Sequence, residues 1–317
     1  MASSSSAIGD AARRAELSRK LRSPVLKPPM NYRKQVDFPG SCSAVWMCED
    51  GTTVFKTPLA FHLDGCNSEE MREYKGLEQE SAKLLEREKK IYSHLGRHST
   101  ILHCLEISDT GLKFPYMKNG NLRTFLRNDV PKPPQIRSKW IETALVAFDH
   151  IHSQEVFQGD VSARNFLVVD DLSIVLSDFS GSKIGDEESL VRPETRYEKQ
   201  GEELIKISRA TDIFAIGSLI YEIVTGKPPY DELEDDDVEK LFKRADFPST
   251  ADVYLGGIIR GCWIGEYETV KQVLDATLAC EGGGSNIELK DLPGLAYGAI
   301  TKVASIWKVC IDWWWKA

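Results

Sequence analysis

The chain has 317 residues, of which 42% are hydrophobic and 28% charged. This length and apolar content are sufficient for a substantial buried core, in one two-lobed unit or in two domains. The formal net charge of -8, with a pI near 5.4, argues against a nucleic-acid-binding protein. Seven cysteines without a C-x-x-C pair indicate neither a disulfide framework nor a zinc site and fit a reducing compartment.

The N-terminal 30 residues are rich in serine and then in basic residues. They contain no apolar run that could serve as a secretory signal peptide, and we predict a disordered tail over 1–30. A mitochondrial transit peptide is the alternative, because such segments are rich in serine and arginine and poor in acids. No apolar run in the chain is long enough to span a bilayer. We therefore expect a cytoplasmic or nuclear protein.

Short apolar runs separated by turn residues predict a small β-rich region after this tail. Two turns, Pro39-Gly40-Ser41 and Glu49-Asp50-Gly51, separate the first three of these runs. The predicted strands are Val36–Phe38, Ala44–Cys48, Thr52–Phe55, Ile101–Ile107 and Leu112–Met117.

A helix is predicted between the third and fourth of these strands, over Leu77–Leu95, with Gly96 as its end. Its apolar face contains one acid, Glu88, and a carboxylate on a buried face is costly unless it is paired. Lys56, at the end of the third strand, is the candidate partner. The alternative is that both are solvated charges, since the helix is densely charged around Glu88.

The segment 158–180 reads as a hairpin of two buried strands around the turn pair Asp170-Asp171. Asp160 and Asn165 precede the hairpin and Asp178 follows it, so closing the hairpin would bring three oxygen-bearing side chains to one edge. Such oxygens are the ligands that Mg2+ prefers. The alternative is that these side chains only cap strand ends.

Two further helices are predicted, over Ser138–Ile151 and Thr211–Val224, and Asp212 is a good capping residue for the second. The run Asp231–Glu239 holds seven acids in nine residues. It is either a solvated face or a surface that attracts basic substrate peptides. The last predicted segment, 281–317, is a glycine-rich linker with an apolar, Trp-rich tail, which could dock on the domain, touch a membrane surface or be poorly ordered.

Asp160 and Asn165 have the spacing of H-R-D-x-x-x-x-N, and Asp178-Phe179-Ser180 lies where D-F-G follows in the eukaryotic protein kinase family. The chain resembles that family, and among its members most of all the divergent kinases of filamentous fungi. The resemblance implies a two-lobed α+β fold. A small β-rich N-lobe with one main helix would cover 31–117, and a larger, mostly helical C-lobe would cover 118–280.

The resemblance also implies ATP and Mg2+ as cofactors and a role for each matching residue. Asp160 would accept the proton of the substrate hydroxyl, while Asn165 and Asp178 would hold the metal. Asp212 would bind the backbone of the catalytic loop, the segment before the hairpin that carries Asp160 and Asn165. The nucleotide would be bound by Lys56 with its orienting acid Glu88. It would also be bound by Gly40 and Val45 of the phosphate loop, residues 39–45, and by the backbone of Pro115 and Met117 next to adenine.

The implied activity is transfer of the γ-phosphoryl group of ATP to a hydroxyl of a protein substrate. We favour serine or threonine because that class is larger, although Ser162 and the sequence SARN resemble the tyrosine-kinase form. Gly159 takes the place of an arginine that gathers a phosphorylated activation segment, so we expect activity without phosphorylation there. The alternative is a pseudokinase that binds nucleotide or acts as a scaffold, because the phosphate loop keeps only Gly40 and no A-P-E follows.

Overall fold

The computed structural model describes residues 26–29, 32, 34–36, 42–128, 132–200 and 206–282. The core and the predicted site lie in the unit that ends at Thr277, and of the unit that begins at Leu278 only the end of one helix is described. The predictions for residues 1–25, for Gly40 and for the tail 283–317 fall outside the described residues.

A five-stranded antiparallel sheet forms the first part of the fold, with the strand order β1-β2-β3-β5-β4. Between β2 and β3, the side chain of Asp50 accepts hydrogen bonds from the backbone N–H groups of Thr52 and Thr53, at 2.8 Å each, and so fixes the turn. The strands are β1 (Lys34–Gln35), β2 (Ala44–Met47), β3 (Thr53–Thr57), β4 (Glu106–Ser108) and β5 (Gly111–Pro115).

Two of the predicted strands differ in the structure. The first strand precedes Val36, whose backbone N–H still donates to Val45 at 3.0 Å, and residues 37–40 are outside the described part. The predicted strand Ile101–Ile107 is reduced to β4 at its C-terminal end. Its apolar start is instead buried against the later hairpin, where Ile101 makes an isolated parallel bridge to Leu176.

Helix α1 (Ser68–Leu95) begins nine residues before the predicted start. The reason is a capping box, in which Asn67 accepts from the backbone of Glu70 at 3.0 Å and Glu70 accepts from the backbone of Asn67 at 2.9 Å. The helix ends at Gly96 as predicted, where a φ of 62° favours glycine. Its buried face contains Leu84, Leu85, Glu88, Ile91, Tyr92 and Leu95.

The second part of the fold is mostly helical. Its helices are α2 (Leu122–Arg127), α3 (Pro134–Ser153), α4 (Arg209–Thr225), α5 (Asp235–Lys243), α6 (Gly256–Ile264) and α7 (Val270–Gly282). Its strands form two antiparallel pairs, β6 (Val156–Phe157) with β9 (Lys183–Ile184) and β7 (Phe166–Val168) with β8 (Ile174–Leu176). Helix α4 packs closely on α6 because Gly217 has no Cβ, which would lie 2.7 Å from the Cβ of Cys262.

This arrangement confirms the predicted two-lobed α+β fold, with a β-rich first part carrying α1 and a helical second part. The boundaries proposed for the lobes stay predictions. Leu26, within the predicted disordered tail, is buried and forms an antiparallel bridge with Phe61. In the described part of the chain, each helix is either too short or too polar to cross a membrane.

Candidate active site

Lys56 lies at the centre of the candidate site and joins the two parts of the fold. Its ammonium is 2.6 Å from the Glu88 carboxylate on α1 and 3.0 Å from that of Asp178, which follows strand β8. Val45 on β2 lies directly opposite Lys56 on β3, so both side chains share one face of the sheet. The structure therefore brings Lys56, Glu88 and Asp178 together.

The charges of these three groups depend on one another. Burial lowers the pKa of the Lys56 ammonium, but the carboxylates of Asp178 and Glu88 outweigh burial and raise that pKa above its ordinary value. Burial raises the pKa of Glu88, whose side chain is 1% exposed, to about 7, and Lys56 limits the rise. Partial burial raises the pKa of Asp178, but the positive charge of Lys56 and hydrogen bonding from Ser180 outweigh burial and lower that pKa. The site thus keeps a cation between two acids.

Asp178 and Asn165 are brought together by the β7–β8 hairpin. Both the backbone N–H and the hydroxyl of Ser177 donate to the backbone carbonyl of Asn165, at 2.7 and 2.9 Å. Asp178 itself has a φ of 60°, and Phe179 is buried edge-on against Tyr92, with their ring centroids 5.3 Å apart. A strained residue next to a buried anchor fixes the direction of the Asp178 side chain.

Asp160 lies in the loop before β7, and Asn165 holds it from one side. The Nδ2 of Asn165 donates to the Asp160 backbone carbonyl at 2.6 Å and to Oδ2 at 3.1 Å. Burial raises the pKa of Asp160 to about 6, against the effect of Arg164. A carboxylate with a raised pKa is a better proton acceptor than a solvated one.

The backbone of this loop is anchored by Asp212. One of its oxygens accepts from the N–H of Gln158 at 2.8 Å and the other from the N–H of Gly159 at 3.1 Å, while His152 bonds the same carboxylate at 2.9 Å. The capping role suggested for Asp212 is wrong, because Ser208 caps α4. The role implied by the family resemblance is the one that the structure contains.

The side chains present fit a magnesium-bound nucleotide. Among the described residues, no group of three or more His, Cys, Asp or Glu could hold a metal ion alone. Mg2+ is usually bound by one or two protein ligands together with phosphate oxygens and water. Asp178, whose side chain is 42% exposed, and Asn165 would be those ligands. When bound, the ion would neutralise charge on the phosphates.

The predicted adenine-binding positions follow the sheet. Pro115 is the last residue of β5, and Met117 comes two residues later, just before the chain turns towards α2. Phe114, which precedes Pro115 on β5, is buried against Tyr92 at a centroid distance of 5.2 Å. The roles of Pro115 and Met117 stay predictions.

Several charged residues near the site were not identified from the sequence. Arg164 lies 3.6 Å from Asp160 and 2.5 Å from Glu194, and Arg123 bonds both oxygens of Glu194 at 2.9 Å. Arg87 on α1 donates to the backbone carbonyl of Ser182 at 2.6 Å. The only one of these contacts that the sequence could have indicated is that between Asp160 and Arg164, which are four residues apart. The other contacts join distant parts of the chain.

Comparison with known proteins identifies the family to which the chain belongs. The model of the protein kinase domain matches residues 68–273, more than half of the chain, and the chain belongs to the protein kinase family. The match begins at α1, so the placement of Lys56 on β3 is independent of it.

Three curated relatives resemble parts of the chain. A probable serine/threonine-protein kinase of Dictyostelium discoideum is 29% identical over 150 residues, which cover 44% of this chain and 30% of the relative. Cell division control protein 7 of Schizosaccharomyces pombe is 29% identical over 38% of this chain and 12% of the relative. Human 3-phosphoinositide-dependent protein kinase 1 is 25% identical over 41% of this chain and 27% of the relative. The matched part thus spans less than a third of each relative.

Proposed function

We propose that this protein is an ATP- and Mg2+-dependent protein kinase that transfers the γ-phosphoryl group to a hydroxyl of a protein substrate, with serine or threonine favoured. The observation that carries the proposal is the position of Lys56 within 3.0 Å of both Glu88 and Asp178. Phosphoryl transfer requires mainly positioning and charge neutralisation. Lys56 would bind the phosphates, and Asp178 and Asn165 would hold the metal.

Asp160 would accept the proton of the attacking hydroxyl. Its carboxylate is oriented by Asn165, and its pKa is raised to about 6 by burial, which favours proton transfer near neutral pH. The preference for serine or threonine is supported by relatives such as the Dictyostelium protein, which is a probable serine/threonine-protein kinase.

The test is transfer of labelled phosphate from Mg-ATP to a generic protein substrate. We expect transfer by the wild type and a loss of about 100-fold or more in Asp160→Asn, since general-base catalysis contributes this much. Nucleotide affinity should be unchanged in the variant, because Asp160 is assigned to the hydroxyl and not to the phosphates. Asp149→Asn, a change of the same chemistry on α3, is the control and should leave the rate unchanged.

The second candidate is a pseudokinase that binds nucleotide without transfer, or a scaffold. It is favoured by the phosphate loop, in which Gly40 is the only glycine. Nucleotide binding by the wild type, with no transfer to any generic substrate and no difference from Asp160→Asn, would favour this candidate over the enzyme.

A preference for basic protein substrates is a further part of the proposal. Of the seven acids in Asp231–Glu239, four pair with basic side chains of the chain itself, through Arg127, Arg196, Lys240 and Lys243. The other three, Glu232, Glu234 and Asp236, are the acids we assign to a substrate. Replacing these three by Gln and Asn should weaken the preference for basic over acidic peptides, and an unchanged preference would contradict the assignment.

A further inference from the structure

A line of five side chains with alternating charge runs from the interior of the helical part to the proposed proton acceptor. We call this line the brace. In order, it consists of Glu222, Arg123, Glu194, Arg164 and Asp160. Three of these residues are supplied by helix α4, helix α2 and the segment before the 3-10 turn Thr195–Tyr197, and the last two come from the loop before β7.

The inner end of the brace is fixed by burial. Glu222 is fully buried, and its two oxygens accept from Nε and Nη2 of Arg123 at 2.7 and 3.2 Å. The hydroxyl of Tyr197, also fully buried, donates to Glu222 and accepts from Arg123 at 3.0 Å. A buried carboxylate is costly unless it keeps its partners, so the guanidinium of Arg123 has one favourable position.

The middle of the brace is the carboxylate of Glu194, which two arginines share. Nη1 of Arg123 donates to both of its oxygens at 2.9 Å, and Nε of Arg164 lies 2.5 Å from Oε1. Bonds between arginine and carboxylate are directional, so each guanidinium restricts the other through Glu194.

The outer end of the brace reaches Asp160. Nη2 of Arg164 is 3.6 Å from Oδ1, while Oδ2 accepts from Asn165 at 3.1 Å. The two oxygens of the proposed proton acceptor therefore face two different groups, and this arrangement limits rotation of the carboxylate.

We propose that Glu194 is a positioning residue, which holds its segment on the catalytic loop and sets the guanidinium of Arg164 beside Asp160. The carboxylate of Glu194 thereby supplies the anionic contact to Arg164, so this contact requires no phosphorylation of the segment. Gly159, next to Asp160, has no side chain that could perform this task. The inference rests on the proposed kinase activity, because Asp160 matters only if it accepts a proton.

The kinetic test compares Glu194→Gln with the wild type and with Arg127→Gln. Arg127 is the control, because it lies on α2, the helix that carries Arg123, and pairs with an acid, Asp231 at 3.0 Å, in an exposed position outside the brace. We expect kcat to fall about tenfold in Glu194→Gln, the scale of a small misplacement of a catalytic group, with the KM for ATP unchanged. Arg127→Gln should leave both constants unchanged.

A double variant distinguishes positioning from general support of the fold. If Glu194 acts through Arg164, kcat of Glu194→Gln/Arg164→Gln should equal that of Arg164→Gln alone. Losses that multiply in the double variant, or a wild-type kcat in Glu194→Gln, would overturn the proposal.

Hydrogen exchange of the amides in residues 190–198 gives a readout that does not depend on activity. Exchange should be faster in Glu194→Gln than in the wild type or Arg127→Gln. Unchanged exchange would contradict the proposal that Glu194 holds this segment on the catalytic loop. If the wild type transfers no phosphate but Glu194→Gln still exchanges faster, the proposed function is contradicted, while the proposal that Glu194 holds its segment is supported.

Discussion

At the scale of single residues, the site depends on the charge of Glu88. This carboxylate is almost entirely buried, and Lys56 at 2.6 Å is the cation that stabilises it there. An ion pair of this kind is poor evidence for stability in itself, but removing one partner leaves a buried charge without compensation. The ion pair therefore contributes both to the stability of the fold and to the position of the Lys56 ammonium beside Asp178.

This link predicts different results for a single and a double substitution. Lys56→Met should lower the free energy of unfolding by about 3 kcal/mol, because Glu88 loses its partner in the interior. Lys56→Met/Glu88→Leu should regain most of that loss, since two apolar side chains of similar volume can replace a buried pair. Urea denaturation measures both values.

Both variants should be inactive in phosphoryl transfer, since neither retains the cation of the site. Equal destabilisation of the single and the double variant would show that Glu88 is not held by Lys56, contrary to the geometry. Lys118→Met, which breaks an exposed pair with Asp170, is the control and should change stability little.

At the scale of secondary-structure elements, the start of helix α4 separates a structural role from a functional one. Ser208 caps the helix, while Asp212, within its first turn, binds the loop that carries Asp160. Ser208→Ala should therefore cost about 1 kcal/mol of stability, as for a lost helix cap, and leave kcat unchanged.

Asp212→Ala should have a larger effect. Two buried N–H groups, of Gln158 and Gly159, would lose their acceptor, at a cost of about 3 kcal/mol, and kcat should fall because the loop loses its anchor. Thermal unfolding and transfer assays on the two variants measure these effects. A loss of kcat in Ser208→Ala equal to that in Asp212→Ala would contradict the division of roles.

The elements also show what the sequence could predict. The apolar stripe on α1 predicted that helix and the burial of Glu88, because both follow from a period of 3.6 residues. The true start of the helix was missed, because its signal is the Asn67–Glu70 capping box, in a polar stretch without an apolar stripe. The hairpin was predicted from two apolar runs and the turn pair Asp170-Asp171 between them.

The brace could not be predicted in this way. Arg123 is 71 residues from Glu194 and 99 residues from Glu222, so no local period or spacing connects them. Ion pairs over such separations follow from the packing of whole elements, whereas the positions of Asp160, Asn165 and Asp178 follow from one short hairpin.

At the scale of the whole molecule, the segment after Asp178 connects helix α1 with the catalytic loop. Arg87 on α1 donates to the carbonyls of Ser182 and Glu188, at 2.6 and 2.9 Å, and pairs with Glu187 at 3.1 Å. Near its other end, Glu194 contacts Arg164 of the catalytic loop. Carboxylates and carbonyls of the segment itself make these contacts.

We therefore predict that phosphorylation of this segment is not required for activity. Treatment of the purified protein with a phosphatase should leave the rate of phosphoryl transfer unchanged, because the anionic contacts are permanent side chains. The phosphorylation state before and after treatment is measured by mass spectrometry. A loss of activity that follows the removal of phosphate would contradict this prediction.

The central claim is that Lys56, Asp178 and Asn165 hold a metal-bound triphosphate for transfer. The most direct measurement is the initial rate of γ-phosphoryl transfer from ATP as Mg2+ is titrated, for the wild type and for Asp178→Asn. We predict that the wild-type rate rises from near zero to saturation with Mg2+, and that Asp178→Asn loses about 100-fold or more at every concentration. Wild-type transfer without a divalent ion, or an Asp178→Asn variant as active as the wild type, would contradict the account.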